Sequence, residues 1–450
     1  MSRDPAVDKS LDRLDDLLAK ARRAGAEAAD AVMVDSMSIS HAQRLGQVER
    51  LERSEEAEVG LRVLIGQKQA CVASSDLSNA AMAELVERAV AMAATVPDDP
   101  YCGLATERML AKEPPDLDSD DPTEPDAETL IARARACEDA ARSVEGVSNS
   151  EGAEANWGRA NIALAATNGF RGGYTNSSHS VGGAVLAGEG TAMERDYAFH
   201  SAVYGSDLED PTEVGRRAGE RTVRRLNPRQ AKTGRYPVVY HPRVANSLLR
   251  ALAGAINGAA IARGTSFLKD MMNAKIFPEG VTVIDDPHRA RGLKSKPFDA
   301  EGLPNKTRHL IDKGRLTSWV LSLSSARQLG LSSTGHAARG TGGPPGASTT
   351  NLYMAPGEVT PDALMADIEE GFYVTEMMGQ GLNMVTGDYS RGAAGFWIEN
   401  GEIAYPVSEV TVAGNMKDMF ARLIPANDLE FRFGTDAPTI RVDDMTLAGS

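Results

Sequence analysis

Cysteine is scarce in this chain, and so are aromatic residues, surplus basic charge and long apolar runs. Only three cysteines occur, Cys71, Cys102 and Cys137. They are odd in number and far apart, which excludes a disulfide framework and suits a reducing cytoplasm. The 48 Lys and Arg are outnumbered by 63 Asp and Glu, a net charge of −15. Nucleic acid is therefore not an expected partner, because phosphate binding needs a basic footprint. No segment reads as a membrane span and the N-terminus has no apolar signal core, so the expectation is a cytoplasmic protein with no membrane contact. Aromatics make up 5% of the 450 residues. The core must then be built from aliphatic and small side chains, in a chain long enough for two or three domains.

A local absence bears on chemistry. From Pro242 through Lys269 there is no His, Glu, Asp or Cys. The spacing of Val244, Leu248, Leu249, Leu252, Ile256 and Ile261 predicts one helix over 244–262. Ala251, Gly254, Ala255, Gly258 and Ala259 keep its surface small, as in a packed central helix. A helix in this place could carry metal ligands one turn apart, and this one carries none. The seven histidines are equally unhelpful: the closest pairs, His179 and His200 or His288 and His309, stand 21 positions apart (200 − 179; 309 − 288). No Gly-x-Ser-x-Gly elbow is present. The glycines of 335–346 (GHAARGTGGPPG) are not followed by Gly-Lys-Ser/Thr and contain Pro344-Pro345, so they predict a mobile lid or binding loop, not a phosphate cradle.

The remaining chain alternates helices and strands. Asp8–Ala24 is an amphipathic helix on Leu11, Leu14, Leu18 and Ala21. Val59, Leu61, Val63 and Ile65 alternate, predicting a half-buried antiparallel strand. Helices follow at about 79–94, 127–144 and 213–226, the last one basic. Cys137 shares an apolar helix face with Leu130, Ala134 and Ala141, so it reads as core. The acidic runs Asp116–Asp121 and Glu124–Glu128 read as a solvated surface loop. Thr360 should cap a short helix beginning at Pro361 and ending before Gly371. Val281–Ile284 reads as a strand. Asn168-Gly169 and, more strongly, Asn400-Gly401 signal hairpins. The fold class is α+β. We divide it into an N-terminal α+β segment (1–98), an acidic connection (99–126), a second α+β segment packing with the first (127–227), and a mainly β C-terminal domain (233–450) wrapped around the small-residue helix.

The most unusual stretch is 377–419, where glycines 379, 381, 387, 392 and 395 interleave with Asp388, Tyr389 and Arg391. Glycine weakens a strand unless another backbone must approach closely. The plain reading is a set of tight turns. The functional one is a groove that holds an extended chain by main-chain hydrogen bonds, with Gly379, Gly381, Asp388, Tyr389, Arg391 and Gly392 as candidate residues and His336 joining them.

Three stretches carry a resemblance: PFDAEG (Pro297–Gly302), STGHA (Ser333–Ala337) and TGDYSRGAAGFWIENGEIAYPVSEVTVAGN (Thr386–Asn415). From about Leu14 to its end the chain resembles the TldD/PmbA metallopeptidase family. In that family the TldD-type subunit carries His-Glu-x-x-x-His on the central helix and a downstream Cys, which bind the catalytic metal, with the Glu as general base. The present chain departs on both counts: its central helix has no ligand, and Phe431–Thr439 (FRFGTDAPT) has no Cys. It is therefore similar to the PmbA-type (TldE) subunit. The resemblance implies no metal in this chain and zinc in a TldD-type partner. It further implies a cytoplasmic heterodimer, with a homodimer also open, that cleaves extended peptides in a closed chamber, in leader-peptide removal or proteolysis. Two other readings stay open: a stand-alone metallopeptidase with an unrecognised site, and a non-hydrolytic, homo-oligomeric peptide-binding module.

Overall fold

The structure, a computed structural model, describes residues 5–449. The N-terminal half is built on one antiparallel sheet. Helix α1 (Pro5–Arg23) leads into β1 (Ala28–Arg44), β2 (Gln47–Ile65) and β3 (Lys68–Ser74), followed by α2 (Asn79–Thr95). After a long strap come α3 (Ala127–Ser143), β4 (Val147–Ala166), β5 (Arg171–Ala187), β6 (Glu194–Ala202) and α4 (Pro211–Arg224). The strand order is β3-β2-β1-β4-β5-β6, so β1 and β4 join the two α+β segments into a single sheet.

Side-chain alternation explains where the helices lie. Odd-numbered residues of β1 and β4 (Ala29, Ala31, Met33, Ile39; Ala153, Ala155, Trp157, Ala163, Ala165) pack against the helices, α1 and α2 on one half, α3 and α4 on the other. All four helices therefore cover one face. Cys137 is wholly buried there, and burial pushes its thiol up to about 12. Ser78 and Asp126 cap α2 and α3 by accepting from backbone N–H groups.

The opposite face is covered by the C-terminal half, which corrects the half-buried reading of β2. Val59, Leu61 and Val63 face the helices, but Gly60, Arg62 and Leu64 are buried too. Arg62 donates to Asp30 at 3.0 Å, and Arg339 bonds the other oxygen of the same carboxylate. The loop 335–346 is thus no free lid. The Arg339 side chain is 1% exposed, Thr341 is buried and its hydroxyl bonds Glu58, and His336 is 3% exposed. The acidic strap is solvated only in part: Asp116, Glu124, Asp126 and Glu128 are exposed as expected, but the carboxylates between them are paired. Asp118 pairs with Arg291, Asp120 with Arg159, and Asp121 with His179 at 3.1 Å.

The C-terminal half runs β7 (Gly234–Tyr240), α5 (Pro242–Ala255), α6 (Gly258–Ala262), β8 (Val283–Asp285), β9 (Arg308–Asp312), β10 (Arg315–Leu316), α7 (Leu323–Leu329), β11 (Ala337–Ala338), β12 (Gly346–Ala347), β13 (Leu352–Met354) and α8 (Pro361–Met365). It ends with β14 (Glu370–Met378), β15 (Asp388–Glu399), β16 (Glu402–Asn415), α9 (Met416–Ala421), β17 (Leu423–Pro425), β18 (Thr435–Asp436) and β19 (Ile440–Ala448). The order β16-β15-β14-β7-β19 closes on itself through a β16–β19 pairing, making a barrel. A smaller sheet, β10-β9-β8-β13-β18, packs into the same core.

Two local expectations need correction. The predicted helix 244–262 is two helices. Asn257 accepts from the Ala259 N–H to cap α6, and the Gly258 N–H is drawn to the carbonyl of Val320 at 2.8 Å. Asn favours a cap over a helix interior. α8 starts at Pro361 and ends before Gly371 as expected, but it stops at Met365, and Gly371 is no cap: it lies inside β14. Among the described residues no helix is long and apolar enough to cross a membrane.

Candidate functional site

The residues expected to form a glycine groove do not form one. β15 is bonded on both sides, Gly392 facing Met378 of β14 and Thr411 of β16. A closed barrel leaves no edge at β15 for an incoming strand. Gly395 exists because strands pack: a Cβ there would sit 1.9 Å from the carbonyl oxygen of Tyr373. Gly381 lies so close to β15 that a Cβ would meet the Ser390 oxygen at 1.5 Å. Gly379 makes an exposed turn with φ +70°. Asp388 staples the same rim, accepting from Thr386 and Asn415, and those bonds hold its carboxyl below the usual range. Tyr389 is 5% exposed and belongs to the barrel core with Tyr240. Arg391 is half-buried two residues along the strand from it. His336 lies elsewhere, bonded to Thr334 at 2.8 Å and 3.2 Å from Asp285.

A cleft does open at the other end of α5. The glycine rim covers the C-terminal end, where a Cβ on Gly254 would lie 3.2 Å from the Met384 methyl. The cleft surrounds His241 and Arg243, about 20 Å away at 1.5 Å per helical residue. Its main lobe is about 500 Å3, lined by α4, β6, α5 and the segment 428–439. A second lobe of about 200 Å3 shares Arg221, His241, Arg243 and Tyr373 and extends to Thr375 and Phe396.

The chain's own ion pairs hold the two halves together here. Arg243 donates to both oxygens of Asp196, at 2.6 and 2.9 Å. Burial alone would raise the Asp196 carboxyl, but Arg243 brings it below the usual carboxylate range. Arg432 reaches Glu209 at 2.6 Å, which also pairs with Arg217. Pro242 starts α5, and His241 caps it by accepting the Arg243 N–H at its Nδ1, 3.0 Å away. Burial, then Arg221 and Arg243, push the His241 imidazole down to about 3, so it is neutral. The proton of the neutral ring is therefore on Nε2. Aromatic walls complete the cleft: Tyr197 stacks on Phe199, and Phe199 lies 5.5 Å from Phe433.

A divalent cation does not suit this donor set. Zinc takes thiolate, imidazole and carboxylate ligands. The face that α5 turns to the cleft offers Arg243, Asn246 and Arg250, and the one imidazole there is ringed by guanidinium groups. Among the described residues no cluster of three or more His, Cys, Asp or Glu could hold a metal ion.

Of these cleft residues, sequence reasoning marked only the basic character of α4 and the position of Phe431–Thr439. Arg221, Arg250, Thr375 and Arg432 are scattered along the chain, and no local pattern unites them.

Comparison with known proteins places the whole length in one family. Three models match in order: PmbA/TldA metallopeptidase domain 1 over 29–93, the central domain over 120–226 and the C-terminal domain over 233–449. The chain is 38% identical to the Metalloprotease PmbA of Escherichia coli O157:H7, covering 96% of this chain and 94% of that one. Its fold is similar to that of a Bacteroides thetaiotaomicron protein considered a candidate modulator of DNA gyrase (TM-score 0.91, 26% identity, 98% and 99% coverage). It is also similar to TldE from Thermococcus kodakarensis (TM-score 0.86, 18% identity, 97% and 100% coverage), a likeness of fold alone.

Proposed function

The chain belongs to the PmbA/TldA metallopeptidase family, and on that footing we propose that it is the PmbA/TldE-type subunit of a cytoplasmic TldD–TldE metallopeptidase complex that cleaves unfolded or extended peptides. The partner, a TldD-type subunit, supplies zinc and the general base. This chain supplies chamber wall and a substrate-holding surface. One observation carries the reading: α5, the helix on which the family resemblance expects metal ligands, faces its cleft with Arg243, Asn246 and Arg250. Guanidinium groups repel a metal ion and attract the carboxylates of a peptide. The interdomain cleft, with its aromatic walls, takes the substrate-holding role in place of the glycine stretch, whose strand edges are already occupied. The same chemistry disfavours a stand-alone metallopeptidase.

The test is peptide cleavage by this chain, by a TldD-type partner and by the mixture, each with and without chelator. The expected result is chelator-sensitive cleavage by the mixture and none by this chain. Chelator-sensitive cleavage by this chain alone overturns the assignment.

A further inference from the structure

Among the described residues, Arg221 and Arg250 in the cleft have no carboxylate partner of their own. Arg221, on α4, makes one long contact, to the carbonyl of Tyr197 at 3.5 Å. The carboxylate that most offsets its charge, Asp196, is already bonded twice by Arg243 and lies 3.6 Å from Arg225. Burial first, and Arg243 second, push the Arg221 guanidinium down to about 10, an effect that Asp196 offsets only in part. Arg250 bonds only the side-chain oxygen of Asn246. Arg250 is exposed, but Arg221 is half-buried, and a cation drawn out of water is ordinarily paired.

Independent donors converge on the same space. Thr375 lines the smaller lobe at 8% exposure, and its buried hydroxyl has no hydrogen-bond partner. Buried polar groups are ordinarily satisfied. His241 lines both lobes, and its Nε2–H has no protein acceptor among the described residues. An anion between Arg221, His241 and Thr375 would satisfy all three.

The rest of the cleft says which anion. At about 500 Å3 the main lobe is far larger than a lone inorganic ion needs. Phe199 and Phe433 offer apolar wall, Asp428 (held by Thr439) and Glu430 repel a multiply charged phosphate more than a singly charged carboxylate, and the Glu430 oxygen that Arg432 leaves unbonded can accept a peptide N–H. We propose that this cleft binds the free C-terminal carboxylate of a short peptide, with Arg221 as its cation, Arg250 at the mouth, and the aromatic wall holding the preceding side chains. The proposal deepens the substrate-holding role given above and rests on it.

The experiment uses the full chain alone, so it is blind to partner and cleavage, and the heterodimer reading can fail without it. A fluorescein-labelled tetrapeptide with Phe and Leu as its last two residues is titrated by fluorescence anisotropy, once as the free acid and once as the C-terminal amide. The acid should bind at least tenfold more tightly. Arg221→Gln should weaken the acid at least tenfold and leave the amide unchanged; Arg250→Gln, at an exposed position, should weaken the acid severalfold. Inorganic phosphate at 10 mM should not displace the peptide. Equal binding of acid and amide, no binding up to millimolar protein, or acid binding unaffected by both substitutions overturns the proposal. Displacement by phosphate also overturns it and reassigns the cleft to an inorganic anion.

Discussion

A Cβ placed on Gly60 would lie 2.1 Å from the carbonyl oxygen of Thr341. The central strands of the N-terminal sheet and the glycine-rich loop of the C-terminal half therefore meet backbone to backbone. Around that contact sit Asp30, Arg62 and Arg339, all buried as one ionic group. Losing one partner of such a group typically costs about 3–5 kcal/mol, so the two halves are fastened where their surfaces touch most closely.

Gly60→Ala should accordingly destabilise the chain by about 1–3 kcal/mol, the usual cost of overpacking. Gly340→Ala, one residue from Thr341 with open space around it, should stay within about 0.5 kcal/mol. Thermal unfolding of the two variants gives the comparison. Equal melting temperatures would mean that the halves do not meet at Gly60.

Stability should fall as pH rises from about 6.5 to 8; below about 6.5 His241, neutral in the folded chain and protonated in the unfolded one, opposes the trend. Burial, with Asp299 second, pushes the Glu301 carboxyl up to about 8, while burial pushes Asp299 up to about 6. Between the unfolded carboxylate pKa, near 4.3, and about 8, the folded chain keeps a proton on Glu301 that the unfolded chain has released. The unfolded state binds fewer protons there, so unfolding becomes easier with rising pH. Above 8 the effect levels off. Glu301→Gln keeps an acceptor for the Leu323 N–H, 2.8 Å away, and should flatten most of the slope. Melting temperatures from pH 5 to 9 would show this; an unchanged slope in the variant would place the titrating group elsewhere.

Two glycines of β15 should behave oppositely. Gly395→Ala drives a methyl into the Tyr373 carbonyl and should cost about 1–3 kcal/mol or more. Gly392→Ala meets Met378 at an ordinary 3.4 Å and should stay within about 1 kcal/mol. Denaturant midpoints measure both. Similar losses at the two sites would contradict the barrel packing.

Local chemistry was legible in the sequence, and distant chemistry was not. Asn400 and Gly401 adopt φ of +51° and +84° in the hairpin that their identities announce. Thr360 caps α8 at the Ala363 N–H. Such signals act over two to four residues. The closing of the barrel depends on β7 pairing in parallel with β14, Val238 beside Phe372, and nothing near either strand encodes the other. The strap misled for the same reason: an Asp run looks solvated until Arg159 and Arg291 arrive from elsewhere. The cleft is the extreme case. Arg221 and Thr375 are unremarkable where they stand, and only the docking of two halves makes them neighbours. The break at Asn257 is different, because Asn followed by Gly was a readable cap signal inside an otherwise convincing helical period.

The barrel also sets a timetable for the newborn chain. β7 finds its neighbours only in β14, more than a hundred residues later, and in β19. Until Ile440–Ala448 has left the ribosome, β7 has one open flank and the apolar side of α5 has an incomplete shell. Pairings this distant are slow to form and leave sticky surface exposed meanwhile. The N-terminal sheet, complete by Ala202, can fold first and stand as a platform. A chain halted before Ile440–Ala448 would keep that platform but carry an unsealed C-terminal half, so the barrel cannot close until that strand has emerged.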